Sequence, residues 1–287
     1  MFEVALTSFV LCFTAYLVLL KSLPSIIQFF SSDPKKAIKY FREEITPHEQ
    51  QHHAQVAISF LHAVVATLGA CHSIYAYRLS DYRYVSELII MDEPRGAYLS
   101  ELRNFYLEIT LGYFFADLLV YCLDVGRYPI IDIAHHVVSI IAYVLGISTN
   151  AGTFVMILFQ TNECSTPFLH VRYFALQWNK KNNIIYKIAE ALFVFLFVAS
   201  RIVFNFYVMF CLWYGVVTVS AKHHVITEVF LVVCGNLYYL VQCAWFYKII
   251  MMVLRRFDKK RNVTVPTVEE LKKEGVKNAE SKDQKTK

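Results

Sequence analysis

The chain has 287 residues, of which 56% are hydrophobic, 16% aromatic and only 18% charged, with a net charge of +5 and a mean hydropathy of +0.41. So little polar surface cannot cover a soluble globule of this length, and the positive charge sits in loop clusters rather than on a basic face interleaved with stacking aromatics. No nucleic-acid partner is expected; membrane lipids, and anionic headgroups of the cytosolic leaflet in particular, are the partners this balance fits.

Windows of about 20 apolar residues match the bilayer core, so the expected fold is all-α, a polytopic transmembrane bundle. The expected spans run over Phe2–Leu20, Ala54–Tyr77, Phe105–Leu123, Ile130–Ile147, Ala151–Phe174, Ile184–Tyr214 and Val225–Leu254. That makes about seven spans around a polar central cavity. The organisation read from this is a first span with an interfacial helix (residues 1–49), the main membrane domain (50–255) and a charged tail (256–287), read as disordered after Arg261.

The first span follows Met-Phe-Glu, without a basic leader or a small-residue cleavage site, and reads as an uncleaved span. After it, Asp33-Pro34 begins a short amphipathic segment with Ala37, Ile38, Phe41 and Ile45 on one side and Lys35, Lys36, Lys39 and Arg42 on the rest. A helix lying on the cytosolic interface fits this pattern, and a solvated linker is the alternative. His48 and His52 are four residues apart with His53 beside them, but no acidic or cysteine ligand joins them at a recognisable interval, and no metal site is assigned.

The loops after spans one, three and five and the C-terminal tail carry most of the Lys and Arg, including Arg127, Arg172, Lys180, Lys181 and the run from Arg255 to Arg261. That side, and with it the C-terminus, is expected to be cytosolic. The tail sequon Asn262-Val263-Thr264 should then carry no sugar. The seven cysteines stand singly in apolar sequence and read as small buried hydrophobes.

Ionisable groups in apolar helices are costly unless they face a cavity or one another, so they mark the candidate site. In the fourth span Asp132 precedes His135 and His136 by three and four positions and could orient either ring. Adjacent residues point about 100° apart on a helix, so one histidine at most addresses a given point. Tyr143 extends the His136 stripe. In the fifth span Gln160 and Glu163 share a face, Asn162 lies beside them, and Pro167 deprives the Glu163 carbonyl of its helical partner and should kink the helix. Asp117 in span three is flanked by Tyr113 and Tyr121, and Arg201 in span six needs a carboxylate partner, for which Asp117 and Glu163 are the candidates.

Gly112-Tyr113-Phe114-Phe115-Ala116-Asp117-Leu118, Ile133-Ala134-His135-His136, Asn162-Glu163-Cys164-Ser165-Thr166-Pro167-Phe168 and Ser200-Arg201-Ile202 resemble, in order and spacing, the TLC domain. That family is shared by translocation-associated membrane proteins, ceramide synthases and ceroid-lipofuscinosis-type proteins, and the resemblance covers about residues 50 to 255. It implies a multi-spanning helical fold with a central cavity, residence in the endoplasmic reticulum and a role in lipid metabolism. In ceramide synthases the paired histidines act in N-acyl transfer from acyl-CoA, and His135 and His136 occupy the matching positions. Where those enzymes carry His-Asp and a further Asp, this chain has Phe159-Gln160 and Glu163, and so looks closer to the ceroid-lipofuscinosis and generic TLC-domain members.

Two readings stay open at this point. The first is an acyltransferase with His135, His136, Glu163 and Asp117 as its catalytic groups, Arg201, Asn162, Tyr143 and Gln160 holding the substrate and Asp132 orienting a ring. It needs no tightly bound cofactor and no metal, with acyl-CoA as co-substrate. The second is a lipid binder, sensor or cargo escort using the same cavity. Ion conduction is a weaker third, and a homodimer is compatible with all of them.

Overall fold

The structure is a computed structural model that describes residues 2–30, 45–78, 97–123, 130–150, 152–177, 183–219 and 225–264. Among these residues every element is helical. The order is α1 (Glu3–Phe30), α2 (Pro47–Arg78), α3 (Ala97–Leu123), α4 (Ile130–Thr149), α5 (Thr153–Gln160), a 3₁₀ turn (Thr161–Ser165), α6 (Thr166–Gln177), α7 (Ile184–Leu196), a π-helical stretch (Phe197–Phe204), α8 (Asn205–Val219) and α9 (Val225–Thr264). The chain divides into two compact units, residues 1–242 and 243–287; the side chains that form the candidate site belong to the first.

Six of the described helical stretches are long and apolar enough to cross a membrane: Glu3–Ser22, Pro47–Arg78, Tyr98–Leu123, Ile130–Thr149, Ile184–Tyr214 and Val232–Arg255. The difference from the expected seven is the stretch 151–174. It is split into an eight-residue and a twelve-residue helix by the 3₁₀ turn, and only the two pieces together have the length of a crossing. The Glu163 carbonyl that Pro167 cannot serve accepts instead from the Thr166 N–H, one residue nearer, and this closes the tighter turn. α9 continues to Thr264, beyond the expected end at Leu254. Residues 33–44 of the expected interfacial helix, and the tail from 265 onward, lie outside the described residues.

Why these helices pack as they do follows from a few small or polar residues. α2 starts with a reciprocal cap in which Thr46 N–H donates to Glu49 Oε2 (2.8 Å) and Glu49 N–H donates to Thr46 Oγ1 (3.2 Å), with Pro47 at the first helical position. α1 and α3 cross so closely at Gly112 that a Cβ there would stand 2.6 Å from Ser8 Cβ and against the backbone of α1. Ser8 Oγ donates to the Ile109 carbonyl (2.8 Å), and Glu108 Oε2 accepts the Ala5 N–H (3.2 Å), one of the otherwise orphaned donors of the first turn of α1.

α4 and α5 reverse direction through Asn150 (φ 57°) and Gly152 (φ 65°), both left-handed. Arg103, 1% exposed, holds this link by donating to Asn150 Oδ1 and to the Tyr77 hydroxyl. α5, apolar along nearly its whole length, is buried at every position but Phe159. It lies between two packed clusters: Met156 and Ile157 join one formed with α1 to α4, and Phe154, Val155 and Leu158 join another with Val208, Leu212 and Val232. A helix apolar all round belongs in such a position. Exposed Leu6, Leu11 and Val18 on α1 and Phe206, Phe210 and Trp213 on α8 form the apolar outside expected against lipid.

Candidate functional site

Of the two adjacent imidazoles, His136 points toward α3. Its Nε2 stands 2.8 Å from Asp117 Oδ2, and its Nδ1 is 2.8 Å from the main-chain carbonyl of Asp132. Asp132 thus reaches the ring with its backbone rather than with the carboxylate that its spacing suggested. A carbonyl only accepts, so Nδ1 carries a proton; the 2.8 Å approach of Nε2 to a carboxyl oxygen then needs a second proton between them. Whichever atom holds that proton, the His136–Asp117 pair is neutral in sum. The other oxygen of Asp117 accepts from Gln55 Nε2 on α2 (2.8 Å), so the carboxyl is gripped from two helices.

His135 points the other way. Its ring lies against Phe114 (centroids 6.0 Å apart) and Tyr238 (5.5 Å), and it forms part of the wall of a cavity. α3, α4, α5, α8 and α9 all contribute to this wall, mostly with apolar side chains such as Phe114, Val138, Val155, Met156 and Leu212. The space between atoms is about 730 Å³, including the part open to the outside. Ser139, Tyr143, Gln160, Glu163 and Tyr238 put polar groups into the same wall, which is the ordinary make-up of a small-molecule site.

Gln160 is 2% exposed. Its Nε2 donates to Thr110 Oγ1 (2.8 Å) and to the Tyr106 carbonyl (3.3 Å), and Thr110 also meets His62 Nε2 (3.3 Å). The carbonyl of Tyr106 fixes which end of the amide is nitrogen, and Gln160 Oε1 is buried with no hydrogen-bond partner among the described residues.

Behind the cavity the 3₁₀ turn is held by Arg201, which sits in the π-helical stretch. Its Nε donates to the Asn162 carbonyl (3.1 Å) and Ser165 Oγ (3.0 Å), Nη2 to Thr166 Oγ1 (2.8 Å) and Nη1 to Gln242 Oε1 (3.2 Å). Its carboxylate partner is Glu163, with Oε1 3.8 Å from Nη2; Asp117, the other candidate, is engaged by His136. The guanidinium also lies over the Phe197 ring, 5.4 Å from its centroid. Asn162 Nδ2 donates to the Tyr238 hydroxyl (2.9 Å), which ties the turn to α9. Glu190, on the Arg201 stripe in sequence, pairs instead with Arg172 (3.0 Å).

The candidate residues therefore separate into two layers. His135, Tyr143, Gln160 and Glu163 line the cavity; His136, Asp117, Asp132, Asn162 and Arg201 stand behind that wall. Gln55, Thr110, Phe114 and Tyr238 join the site without having been singled out from the sequence. For Tyr238 a signal was present, because it lies four residues before Gln242 on one helix face, and the two accept from Asn162 and Arg201. His53 Nδ1 is 2.9 Å from the Tyr173 hydroxyl, and the His52 ring packs edge-on against the same tyrosine. Among the described residues no group of three or more His, Cys, Asp and Glu side chains is arranged to hold a metal ion.

The sequence model of the TLC domain matches residues 54–251 of the chain. Among curated proteins, TLC domain-containing protein 4 A of Dictyostelium discoideum is 23% identical over 247 residues, which cover 84% of this chain and 87% of that protein.

Proposed function

The chain belongs to the TLC-domain family, and from that premise we propose that it acts on lipids in the endoplasmic-reticulum membrane, by acyl transfer from acyl-CoA to a lipid held beside His135. The observation that carries this reading is the division of labour between neighbouring imidazoles. His135 stands in the wall of an apolar cavity with Glu163, while His136 is held from behind by Asp117 and Asp132.

A neutral imidazole has a ring nitrogen that can take and return a proton or carry an acyl group, and so suits the role of general base or acyl carrier. As base, His135 takes the proton of the lipid nucleophile as that atom bonds to the thioester carbonyl carbon. The carbon–sulfur bond then breaks, and the proton passes to the departing thiolate to give free CoA. Glu163 is the proton partner in this scheme, with Arg201 and Asn162 setting its position. The Lys- and Arg-rich C-terminal tail faces the cytosol and its anionic headgroups.

A second reading, lipid binding or escort without turnover, is favoured by one observation. Arg201 is committed to acceptors of the protein's own chain, and among the described residues no lysine or arginine lines the cavity to meet a CoA pyrophosphate. The test is the purified full chain in nanodiscs, supplied with labelled acyl-CoA and a panel of membrane lipids. Labelled product lipid that disappears in His135→Ala supports transfer; stable lipid occupancy with no labelled product supports the binder and rejects transfer.

A further inference from the structure

A serine or threonine within an apolar helix commonly turns back and donates to the carbonyl four residues before it. Ser22, Thr67, Thr149 and Ser200 all do so, at 2.7 to 2.8 Å. Ser139 on α4 does not. Its hydroxyl has no hydrogen-bond partner among the described residues, and the carbonyl it forgoes is that of His135.

Nor is that hydroxyl sealed in. Ser139 lines the cavity and keeps 8% of its surface accessible, and its oxygen is not one of the fully enclosed polar atoms that lack a partner. Two residues to either side, Val137 and Ile141 face outward; a helix turns about 200° over two residues, so the open surface of Ser139 lies on the cavity side. Two other wall hydroxyls are engaged, Thr110 with Gln160 and His62, and Tyr238 with Asn162. Tyr143 stands two turns along α4 from His135, against one turn for Ser139.

Residues four apart on a helix have Cβ atoms about 6 Å from one another, and side chains lean toward the helix N-terminus, which tilts Ser139 toward His135. An acyl group between them can present its carbonyl carbon to the imidazole and its oxygen to the hydroxyl. Resting on the acyl-transfer reading, we infer that Ser139 is a catalytic hydrogen-bond donor to that carbonyl oxygen. As the lipid nucleophile bonds to the carbon, the carbonyl π pair moves onto oxygen, and the Ser139 hydrogen bond strengthens against the new charge. When the pair returns, the carbon–sulfur bond breaks, its electrons leave with sulfur, and the proton held by His135 passes to the thiolate. Ser139 keeps its own proton throughout. Among the described residues no lysine or arginine lines the cavity, so a neutral dipole fixed in an apolar wall is what meets the developing charge.

The test takes wild type, Ser139→Ala and Ser139→Thr as full chains in nanodiscs, each checked by thermal unfolding, and measures initial rates over a range of labelled acyl-CoA concentrations. In Ser139→Ala, kcat should fall about a hundredfold or more while KM for acyl-CoA stays within about threefold. Ser139→Thr, which returns a hydroxyl, should recover most of the rate. A second readout needs no turnover: a ketone analogue of acyl-CoA, with a methylene between sulfur and an isotopically labelled carbonyl. Its infrared carbonyl stretch should lie lower in wild type and Ser139→Thr than in Ser139→Ala. A wild-type kcat in Ser139→Ala, or one carbonyl frequency in both proteins, overturns the inference and leaves transfer standing. An acyl ester on Ser139, seen by intact mass, also overturns it, since the serine would then carry the acyl group. No labelled product from wild type, with the carbonyl frequency still lowered, sinks the transferase reading and the catalytic role together and leaves Ser139 as a binding hydroxyl.

Discussion

His136 and Asp117 stand on different helices with Nε2 and Oδ2 2.8 Å apart, and both are buried. Because Nδ1 is turned to the Asp132 carbonyl, the ring cannot withdraw its proton from that side to satisfy the carboxyl. Removing either partner strands the other in apolar surroundings. Asp117→Asn and His136→Ala are each expected to cost about 3 kcal/mol. The double variant should cost clearly less than the sum, with a coupling energy of at least about 1 kcal/mol. Thermal unfolding of the four proteins in one nanodisc preparation checks this; additive losses would mean that the two groups do not interact.

Arg201 serves the 3₁₀ turn through its fork of donors, reaching Asn162, Ser165, Thr166 and Gln242 at once. A lysine keeps the charge but has neither the planar fork nor the reach to all four. Arg201→Lys is therefore expected to lose nearly as much stability as Arg201→Gln, about 3 kcal/mol in each case. Recovery of wild-type unfolding by the lysine variant would show that charge alone matters at this position.

Two glycines give a contrast that depends on what they meet. A Cβ on Gly112 would collide with the backbone of α1, whereas one on Gly69 would meet the Tyr106 ring, 2.7 Å from its Cγ. A ring at the end of a side chain can turn aside and a helix backbone cannot. Gly112→Ala should cost about 1–3 kcal/mol and loosen α1 from α3, with Gly69→Ala costing less. Protease sensitivity and unfolding of the two variants decide it, and the reverse order would contradict the close α1–α3 crossing.

The proposed topology is tested by sugar. The native sequon Asn262-Val263-Thr264 should stay unmodified in a microsomal translation, while an acceptor engineered between Asp81 and Asp92 should be glycosylated. A glycan on Asn262 would invert the orientation and put the charged tail in the lumen.

The site was legible in the sequence to the extent that it consists of ionisable residues in apolar helices. His135, His136, Asp117, Glu163 and Arg201 all stand out on that ground, and all fall in or directly behind one cavity wall. Which imidazole faces the cavity was not legible, because helix geometry sets the two rings apart without saying which neighbour lies on which side. Asp117, brought in on α3, decides it. Gln55 escaped notice for a similar reason: a lone amide in a helix has the same local pattern whether it steadies a helix contact or a carboxyl at a site. Pro167 marked the fifth span as irregular, yet the full break depends on Arg201 reaching the Asn162 carbonyl from 39 residues away. No window of local sequence contains that contact.

The decisive measurement is the rate of labelled lipid formation by wild-type protein and by His135→Ala, His136→Ala and Val137→Ala in matched nanodiscs with labelled acyl-CoA. Val137 is exposed on the same helix and controls for damage to α4. Loss of about a thousandfold or more in His135→Ala, a smaller loss in His136→Ala and none in Val137→Ala is the predicted pattern. Product formed by His135→Ala at the wild-type rate would contradict a catalytic role for the cavity-facing imidazole.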